Sequence, residues 1–189
     1  YKRARYLGRV YQAPMMGTSA GMEIEENLAL AVRRGKRHTL RLGIRRSERE
    51  DYRRRLKELG LGLEDRLTTK VGTLSGGQRQ ALTLLMATLQ RPKLLLLDEH
   101  TAALDPQTAA RVMDLTDRLV QENHLTTLMI THNMRDAIRY GNRLLMLHNG
   151  RIVLDISGEE KARLTVADLM DMFRKVSGRE YDNDRTLLA

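Results

Sequence analysis

The stretch LSGGQRQ at residues 74–80 places two consecutive glycines directly after a serine that can cap a helix. Ser75 and Gln78 have the spacing of a capping box, so we expect a helix to begin at Ser75 and to continue through ALTLLMATL. Consecutive glycines let backbone N–H groups approach an anion closely, and the start of a helix adds the positive end of its dipole. A phosphate-binding helix start is therefore predicted, formed by Leu74, Ser75, Gly76, Gly77 and Gln78.

Two acidic residues end a run of leucines in LLLLDE at 94–99, about twenty residues after the glycine pair. The leucines predict a buried strand. A carboxylate at the C-terminal end of such a strand can hold Mg²⁺, usually through water, and a second one can orient and polarise an attacking water. Asp98 suits the first role and Glu99 the second. An acidic pair after a strand is common by itself, so the functional interpretation depends on the position of this pair after LSGGQ.

The order of the predicted elements indicates an α/β fold. LGRVYQ at 7–12 reads as a short strand, helical spacing follows, and strands and helices alternate from Lys93 onward. Such alternation is typical of a parallel sheet with helices on its faces. We therefore expect a mostly parallel sheet, interrupted by a helical subdomain at roughly 14–90.

Short polar signals predict where several elements begin and turn. Asp105 followed by Pro106 predicts the capped start of a helix. Ser47 with Glu50 predicts a second capping box, ahead of an amphipathic helix. The pair at 149–150, Asn-Gly, predicts a tight hairpin turn between two alternating strands.

These motifs and their order resemble those of ABC ATPases, with LSGGQ as the signature motif and LLLLDE as the Walker B strand. AALD at 102–105 resembles the D-loop, which crosses the family's dimer interface. His132 matches the switch histidine, which contacts the terminal phosphate, and Gln12 resembles the Q-loop glutamine, which reaches Mg²⁺ and the attacking water. The resemblance thus implies Glu99, His132 and Gln12 as catalytic residues, Asp98 and Gln12 at the metal, and Asp105 beside the nucleotide.

The resemblance implies a P-loop NTPase-like (RecA-like) core that uses ATP and Mg²⁺. In this family two subunits pair head to tail, and each ATP lies between the Walker motifs of one subunit and the LSGGQ of the other. A homodimer, membrane permease subunits and an extracytoplasmic substrate-binding protein are the implied partners, at the cytoplasmic face of the inner membrane. The strings DEHTAALDP and LSGGQRQALTLLMATL look similar to bacterial importers of amino acids such as tryptophan or tyrosine.

The resemblance also divides the chain. The expected segments are the end of the ATPase core with the Q-loop, the helical subdomain with the signature motif, the core with Walker B, D-loop and switch histidine, and a C-terminal tail: 1–13, 14–90, 91–160 and 161–189.

One motif of the family is missing from these 189 residues: no G-x-x-x-x-G-K followed by Ser or Thr, the loop that cradles the β and γ phosphates, occurs. In the family it precedes the Q-loop, so we expect an N-terminally truncated ATPase that is inactive alone. A smaller departure is His100, where the family often has another residue; we interpret it as structural or incidental.

The net charge of +9 suggests an anionic partner such as nucleic acid or a membrane surface, and the distribution of the charge helps to choose between these partners. Residues 33–55 hold eleven Lys or Arg against three acids, while aromatic residues, which stack on single-stranded nucleic acid, make up only 4%. We expect no nucleic acid partner, and interpret 33–55 as a solvated insert, with lipid headgroups or an acidic protein surface as alternatives. A nucleic-acid-associated ABC ATPase and a non-hydrolytic interaction subunit remain the rival functions. The chain has no cysteine and no apolar run approaching the roughly 18 residues of a membrane span.

Overall fold

The structure, a computed structural model, describes residues 6–36 and 43–177. The chain divides into two compact units, Tyr1–Ile130 and Thr131–Ala189. The strands are β1 (Leu7–Val10), β2 (Leu94–Asp98), β3 (Thr127–Ile130), β4 (Arg143–His148) and β5 (Arg151–Ser157). The α-helices are α1 (Ile24–Arg33), α2 (Arg46–Glu58), α3 (Gly76–Thr88), α4 (Pro106–Glu122), α5 (Met134–Arg139), α6 (Gly158–Arg163) and α7 (Val166–Ser177).

A parallel sheet in the order β1-β2-β3 forms the centre of the first unit. Leu7 pairs with Leu94, and Leu95 pairs with Thr127. The alternating parallel strands and helices confirm the predicted α/β class. Because neighbouring strands run in the same direction, the C-terminal ends of β1 and β2 lie at one edge of the sheet. Gln12 follows the first of these ends, and Asp98 closes the second.

Helix α3 packs against most of the first unit, because it contacts β1, α1, α2, α4 and the 3-10 turn Pro14–Gly17. Its leucines Leu82 and Leu84 are fully buried, as is Leu95 of β2. Each such leucine contributes roughly 1.5–3 kcal/mol through removal of apolar surface from water. The helix that begins at LSGGQ is therefore fixed in position by packing in the core.

The second unit consists of the β4–β5 hairpin and helices α5, α6 and α7. The predicted turn is confirmed: Asn149 and Gly150 connect the antiparallel strands and have φ angles of 49° and 73°. The unit has a small core of its own around Met134, Leu144 and Leu169.

Two of the predicted helix starts are confirmed and one is wrong. Ser75 caps α3 and Asp105 caps α4, as the sequence indicates. Helix α2, however, begins at Arg46 rather than after Ser47, so Ser47 lies inside the first turn. The side chain that caps this helix is Glu48, whose Oε2 accepts a hydrogen bond from the Arg45 N–H at 2.8 Å.

The described part of the basic stretch 33–55 is extensively paired with acidic side chains. Arg49 holds the buried carboxylate of Glu25 at 2.6 Å, and Arg33 lies 2.9 Å from Glu48. Further along α2, Asp51 accepts hydrogen bonds from two arginines, and Arg46 lies 3.6 Å from Glu50. These pairs support the interpretation of the stretch as a solvated helical surface; residues 37–42 lie outside the described residues.

Candidate active site

Glu99 directly follows β2 and has an unusual backbone conformation, with a φ of 43°. A non-glycine residue in this left-handed region costs on the order of 1 kcal/mol, and such residues are frequent at functional sites. The conformation is held by a hydrogen bond from the Glu99 N–H to the Ile130 carbonyl at 3.0 Å. The backbone thus turns sharply at the predicted catalytic carboxylate.

Gln12 and Glu99 are brought into contact by the parallel pairing of β1 and β2. The Gln12 side-chain amide Nε2 donates a hydrogen bond to Glu99 Oε2 at 3.1 Å. Gln12 is exposed, and both Asp98 and Glu99 are half-buried. Three of the predicted residues therefore lie together at the C-terminal edge of the sheet, where solvent can reach them.

Asp98 has a cationic neighbour that the sequence did not point to. Arg9 Nη2 lies 3.2 Å from Asp98 Oδ2, and the same guanidinium lies 4.5 Å from the centre of the Tyr11 ring. Both charged side chains are about half exposed, so the pair contributes at most about 1 kcal/mol. The available signal was the alternation of extended chain, which places Arg9 of β1 and Tyr11, the residue just after β1, on one face.

The oxygen atoms at this edge fit Mg²⁺ better than a softer metal. In the described ranges there is no group of three or more His, Cys, Asp or Glu side chains that could enclose a metal. Mg²⁺ usually keeps several waters and binds one or two carboxylates together with substrate phosphates. Asp98, with the Gln12 amide beside Glu99, supplies such a sparse set of hard oxygen donors.

The LSGGQ stretch forms the capped start of α3. Ser75 Oγ accepts from the Gln78 N–H, and Gln78 Oε1 accepts from the Ser75 N–H, both at 3.2 Å. Leu74 is buried, whereas Ser75 and Gly76 are exposed. The serine hydroxyl and the first glycine are therefore accessible to a ligand that approaches from solvent.

Gly77 has a packing role in addition to its place in the motif. A Cβ on this residue would lie 2.2 Å from the Cγ2 methyl of Thr108, so only glycine lets α3 approach α4 this closely. Thr108 in turn donates its N–H to Asp105 Oδ1 at 3.0 Å. The side-chain and backbone hydrogen bonds from Thr108 lower the pKa of Asp105 below its ordinary value. Asp105 and Gly77 are thus connected through Thr108.

A family model described as ABC transporter matches residues 3–102, more than half of the chain, including Gln12, LSGGQ and the acidic pair. The chain belongs to the ABC transporter family of ATP-binding proteins. Members of this family hydrolyse ATP in step with transport, and the predicted P-loop NTPase-like fold is confirmed by the solved structures that match.

The chain is similar to ABC proteins named for transport of small solutes. It is 47% identical over 173 residues to a tyrosine transport ATP-binding protein of Clostridioides difficile (strain R20291), covering 92% of this chain and 68% of that relative. It is 45% identical over 114 residues to an aliphatic sulfonates import ATP-binding protein of Paraburkholderia xenovorans (strain LB400), covering 60% of this chain and 33% of that relative.

A solved dimeric ATP-binding cassette, MJ0796 in a post-hydrolysis state with ADP and Pi, has a similar fold. The TM-score is 0.64 at 26% identity, over 80% of this chain and 62% of that one. The chain thus spans between a third and about two thirds of the length of the proteins named here.

In the described ranges, no helix combines the length and hydropathy needed to cross a membrane.

His132, the switch histidine implied by the resemblance to ABC ATPases, lies in the second unit, just after β3. Its side chain is exposed and precedes Asn133, which caps α5. Within this unit, burial raises the pKa of Asp136, and electrostatic interactions with Arg139 and His132 partly oppose that effect. The role of His132 at a phosphate stays a prediction.

His100, interpreted from the sequence as structural or incidental in this ABC protein, is a core residue next to the catalytic candidate. It is 2% exposed. Thr116 donates its hydroxyl to the Val112 carbonyl at 2.7 Å, so its oxygen accepts from His100 Nε2 at 3.0 Å. Burial lowers the pKa of His100 from its ordinary value to about 4, which keeps the ring neutral at physiological pH. The backbone after Glu99 is thereby anchored to α4.

Proposed function

We propose that this chain is the ATP-binding and ATP-hydrolysing subunit of a membrane importer, in which Glu99 activates the attacking water. The observation that carries the proposal is the hydrogen bond from Gln12 to Glu99 at the sheet edge that also holds Asp98. A carboxylate in this position, oriented by an amide, can accept a proton from a water that attacks a phosphate.

Each remaining candidate residue has a part in this proposal. Asp98 would hold Mg²⁺, and bound Mg²⁺·ATP supplies the phosphoanhydride that is cleaved. Gln12 orients Glu99 and the water. His132 is proposed to contact the terminal phosphate of an ATP that is held by a phosphate-binding loop.

The signature residues are proposed to act on the ATP of a second subunit. Ser75 and Gly76 are exposed at a capped helix start, the arrangement that binds an anion, and Asp105 lies beside them through Thr108. In a head-to-tail homodimer, the Asp98–Glu99 edge of one subunit would face the LSGGQ of the other. MJ0796, which has a similar fold, is a dimer in its post-hydrolysis state.

The substrate and setting are proposed from the relatives and from the resemblance. The name of the tyrosine transport relative supports an amino acid as the solute. We propose permease subunits and an extracytoplasmic substrate-binding protein as partners, with this chain peripheral on the cytoplasmic face of the inner membrane. The helical subdomain at 14–90 is proposed to be the part that presents LSGGQ, since every regular element named there is helical.

The proposal is tested in two forms of the protein. The 189-residue chain alone contains no phosphate-binding loop and should show no steady ATP turnover. Turnover by the pure chain, abolished by Asp98→Ala, would contradict this. The second form, called the loop-supplemented protein, joins the chain behind the phosphate-binding loop of an ABC ATPase, and should hydrolyse ATP in the presence of Mg²⁺.

Dimer formation gives a further test in the loop-supplemented protein. Its specific activity should rise with protein concentration, and Ser75→Arg should remove the activity because the side chain fills the space that the partner's phosphate needs. Ser47→Arg is the matched control, since Ser47 is an exposed serine in the first turn of α2. Equal activity of both variants would contradict the role of the signature motif, and an inactive parent protein would contradict the proposed ATPase.

A further inference from the structure

Two buried polar residues of α3, Arg79 and Gln80, have no part in the proposed chemistry. Arg79 is 8% exposed and Gln80 is fully buried. Polar side chains of this size are rarely buried without a specific partner. Both residues directly follow LSGGQ, and both reach the segment around Gln12, more than sixty residues away in sequence: Gln80 at Tyr11 and Arg79 at Met15.

Gln80 reaches the residue that precedes the Q-loop glutamine. Its amide Nε2 donates a hydrogen bond to the Tyr11 carbonyl at 3.0 Å. Gln12 follows immediately and donates its own side-chain amide to Glu99. The contact therefore fixes the backbone from which the Gln12 side chain extends. Among the described residues, Gln80 Oε1 has no hydrogen-bond partner, so the side chain is buried with one of its two polar atoms unsatisfied.

Arg79 holds the two loops on either side of this contact. Its Nη2 donates to the carbonyls of Val71 and Gly72, each at 2.9 Å, in the turn that leads into LSGGQ. Its Nη1 contacts the sulfur of Met15, three residues after Gln12. The turn before LSGGQ and the segment after Gln12 are thus joined through one guanidinium.

The segment after Gln12 is also pressed closely against α3. A Cβ at Gly17 would lie 2.3 Å from the Cγ2 methyl of Thr83, one helical turn beyond Arg79 and Gln80. Residues 11–17 are therefore attached to α3 at Gln80, at Arg79 and at Thr83. A shift of α3 would move this segment, and a shift of the segment would pull Gln12 relative to Glu99.

We infer that Gln80 is a positioning residue for hydrolysis, which holds Gln12 in register with Glu99 and links that pair to the helix that carries LSGGQ. The inference rests on the proposed ATPase function. Because Gln80 is buried and its amide donates to the Tyr11 backbone, it acts through Gln12 and not on the nucleotide. Its loss should slow chemistry while leaving the affinity for ATP unchanged.

The chain offers a matched control just after the C-terminal end of α3. Gln90 also donates its side-chain amide to backbone carbonyls, those of Ala31 and Val32, at 3.0 and 2.5 Å. Gln80→Leu and Gln90→Leu therefore each remove a side-chain amide that donates to backbone carbonyls. Gln80 is buried and Gln90 is half-buried. Only the first lies next to the Q-loop.

The first measurement uses the 189-residue chain, so that it does not depend on ATPase activity. Amide hydrogen exchange is followed by mass spectrometry in both variants. Gln80→Leu should accelerate exchange in residues 11–17, and Gln90→Leu should do so in residues 31–36. Unchanged exchange at 11–17 in a folded Gln80→Leu chain would overturn the inference.

The second measurement uses the loop-supplemented protein. Gln80→Leu should lower kcat by roughly tenfold or more, since misplacement of catalytic groups by about 1 Å can cost a factor of about 10². KM for ATP should stay within about twofold, because ground-state binding is untouched. Gln90→Leu should keep the parent kcat.

A double-mutant cycle separates positioning from general damage. If Gln80 acts through Gln12, then Gln80→Leu should have no further effect in a Gln12→Ala background. An equal loss in both backgrounds, or an unchanged kcat in Gln80→Leu alone, would overturn the inference while leaving the ATPase proposal intact. An inactive parent protein would instead refute the proposed function, and the exchange measurement would then decide the structural link by itself.

Discussion

Replacing His100 by glutamine tests whether the residue next to Glu99 is buried in the core as a neutral imidazole. Gln can place an amide near the position of the imidazole Nε2 and keep the hydrogen bond to Thr116, but it does not titrate. The pKa of His100 is lowered by burial from 6.5 to about 4, whereas the unfolded chain keeps the ordinary value. Since a pKa difference of one corresponds to about 1.4 kcal/mol, the difference between 6.5 and about 4 corresponds to about 3.5 kcal/mol.

The sign of the effect follows from which state binds the proton. Above pH 6.5 the ring is neutral in both states, and the stability is fully present. As the pH falls from 6.5 to about 4, only the unfolded state gains the proton, so the free energy of unfolding decreases. At pH 5.5 the loss should be about 1.4 kcal/mol, and well below pH 4 it should reach its full value of about 3.5 kcal/mol.

The assay is urea unfolding of the 189-residue chain and of His100→Gln at pH 7.5, 6.5, 5.5 and 4.5. Other groups titrate equally in both proteins, so the difference between their free energies of unfolding isolates His100. That difference should shift in favour of the variant as the pH falls. Parallel curves for the two proteins down to pH 4.5 would refute the burial of a neutral His100 beside Glu99.

Two further predictions concern packing and charge. Gly77→Ala should destabilise the chain by about 1–3 kcal/mol, because the added methyl meets Thr108 Cγ2 at 2.2 Å. Thr108→Ser should recover much of this loss, and Gly76→Ala, which meets its neighbour only at 3.3 Å, should cost less; equal costs at the two glycines in urea unfolding would contradict the proposed helix contact. Because five of the nine described cations of 33–55 are paired with acidic side chains, co-sedimentation with anionic liposomes should be no stronger than with neutral ones. Salt-sensitive binding to anionic vesicles alone would instead favour a lipid contact.

Features that depend on neighbouring residues were predictable from the sequence. Ser75 with Gln78, and Asp105 with Pro106, cap their helices through bonds that span only a few residues. The Asn149–Gly150 turn is likewise set by local backbone preferences. The contact between Gln12 and Glu99 required only the additional inference that two parallel strands end at one edge.

Features that depend on packing were not predictable in this way. The start of α2 is capped by Glu48 and not by the predicted Ser47–Glu50 pair. Glu48 also accepts a hydrogen bond from Arg33 of the preceding helix, a contact between helices that the local sequence does not show. His100 gave no local sign of burial, since its partner Thr116 lies sixteen residues away on α4. The link from Gln80 to Tyr11 spans 69 residues and becomes visible only once α3 is placed against β1.

The identity of Glu99 as the catalytic carboxylate is the centre of the proposed mechanism. Glu99→Gln in the loop-supplemented protein keeps the size and hydrogen bonding of the side chain and removes the negative charge that makes it a base. Glu122→Gln, at an exposed position at the end of α4, is the matched control.

The decisive measurement combines ATP turnover with a sizing column run in ATP and Mg²⁺. Glu99→Gln should hydrolyse ATP roughly 10²-fold or more slowly than the parent and should accumulate as an ATP-bound dimer, while Glu122→Gln behaves as the parent does. Hydrolysis by Glu99→Gln near the parent rate, or a monomer in the presence of ATP and Mg²⁺, would contradict the assignment of Glu99 as the residue that activates water.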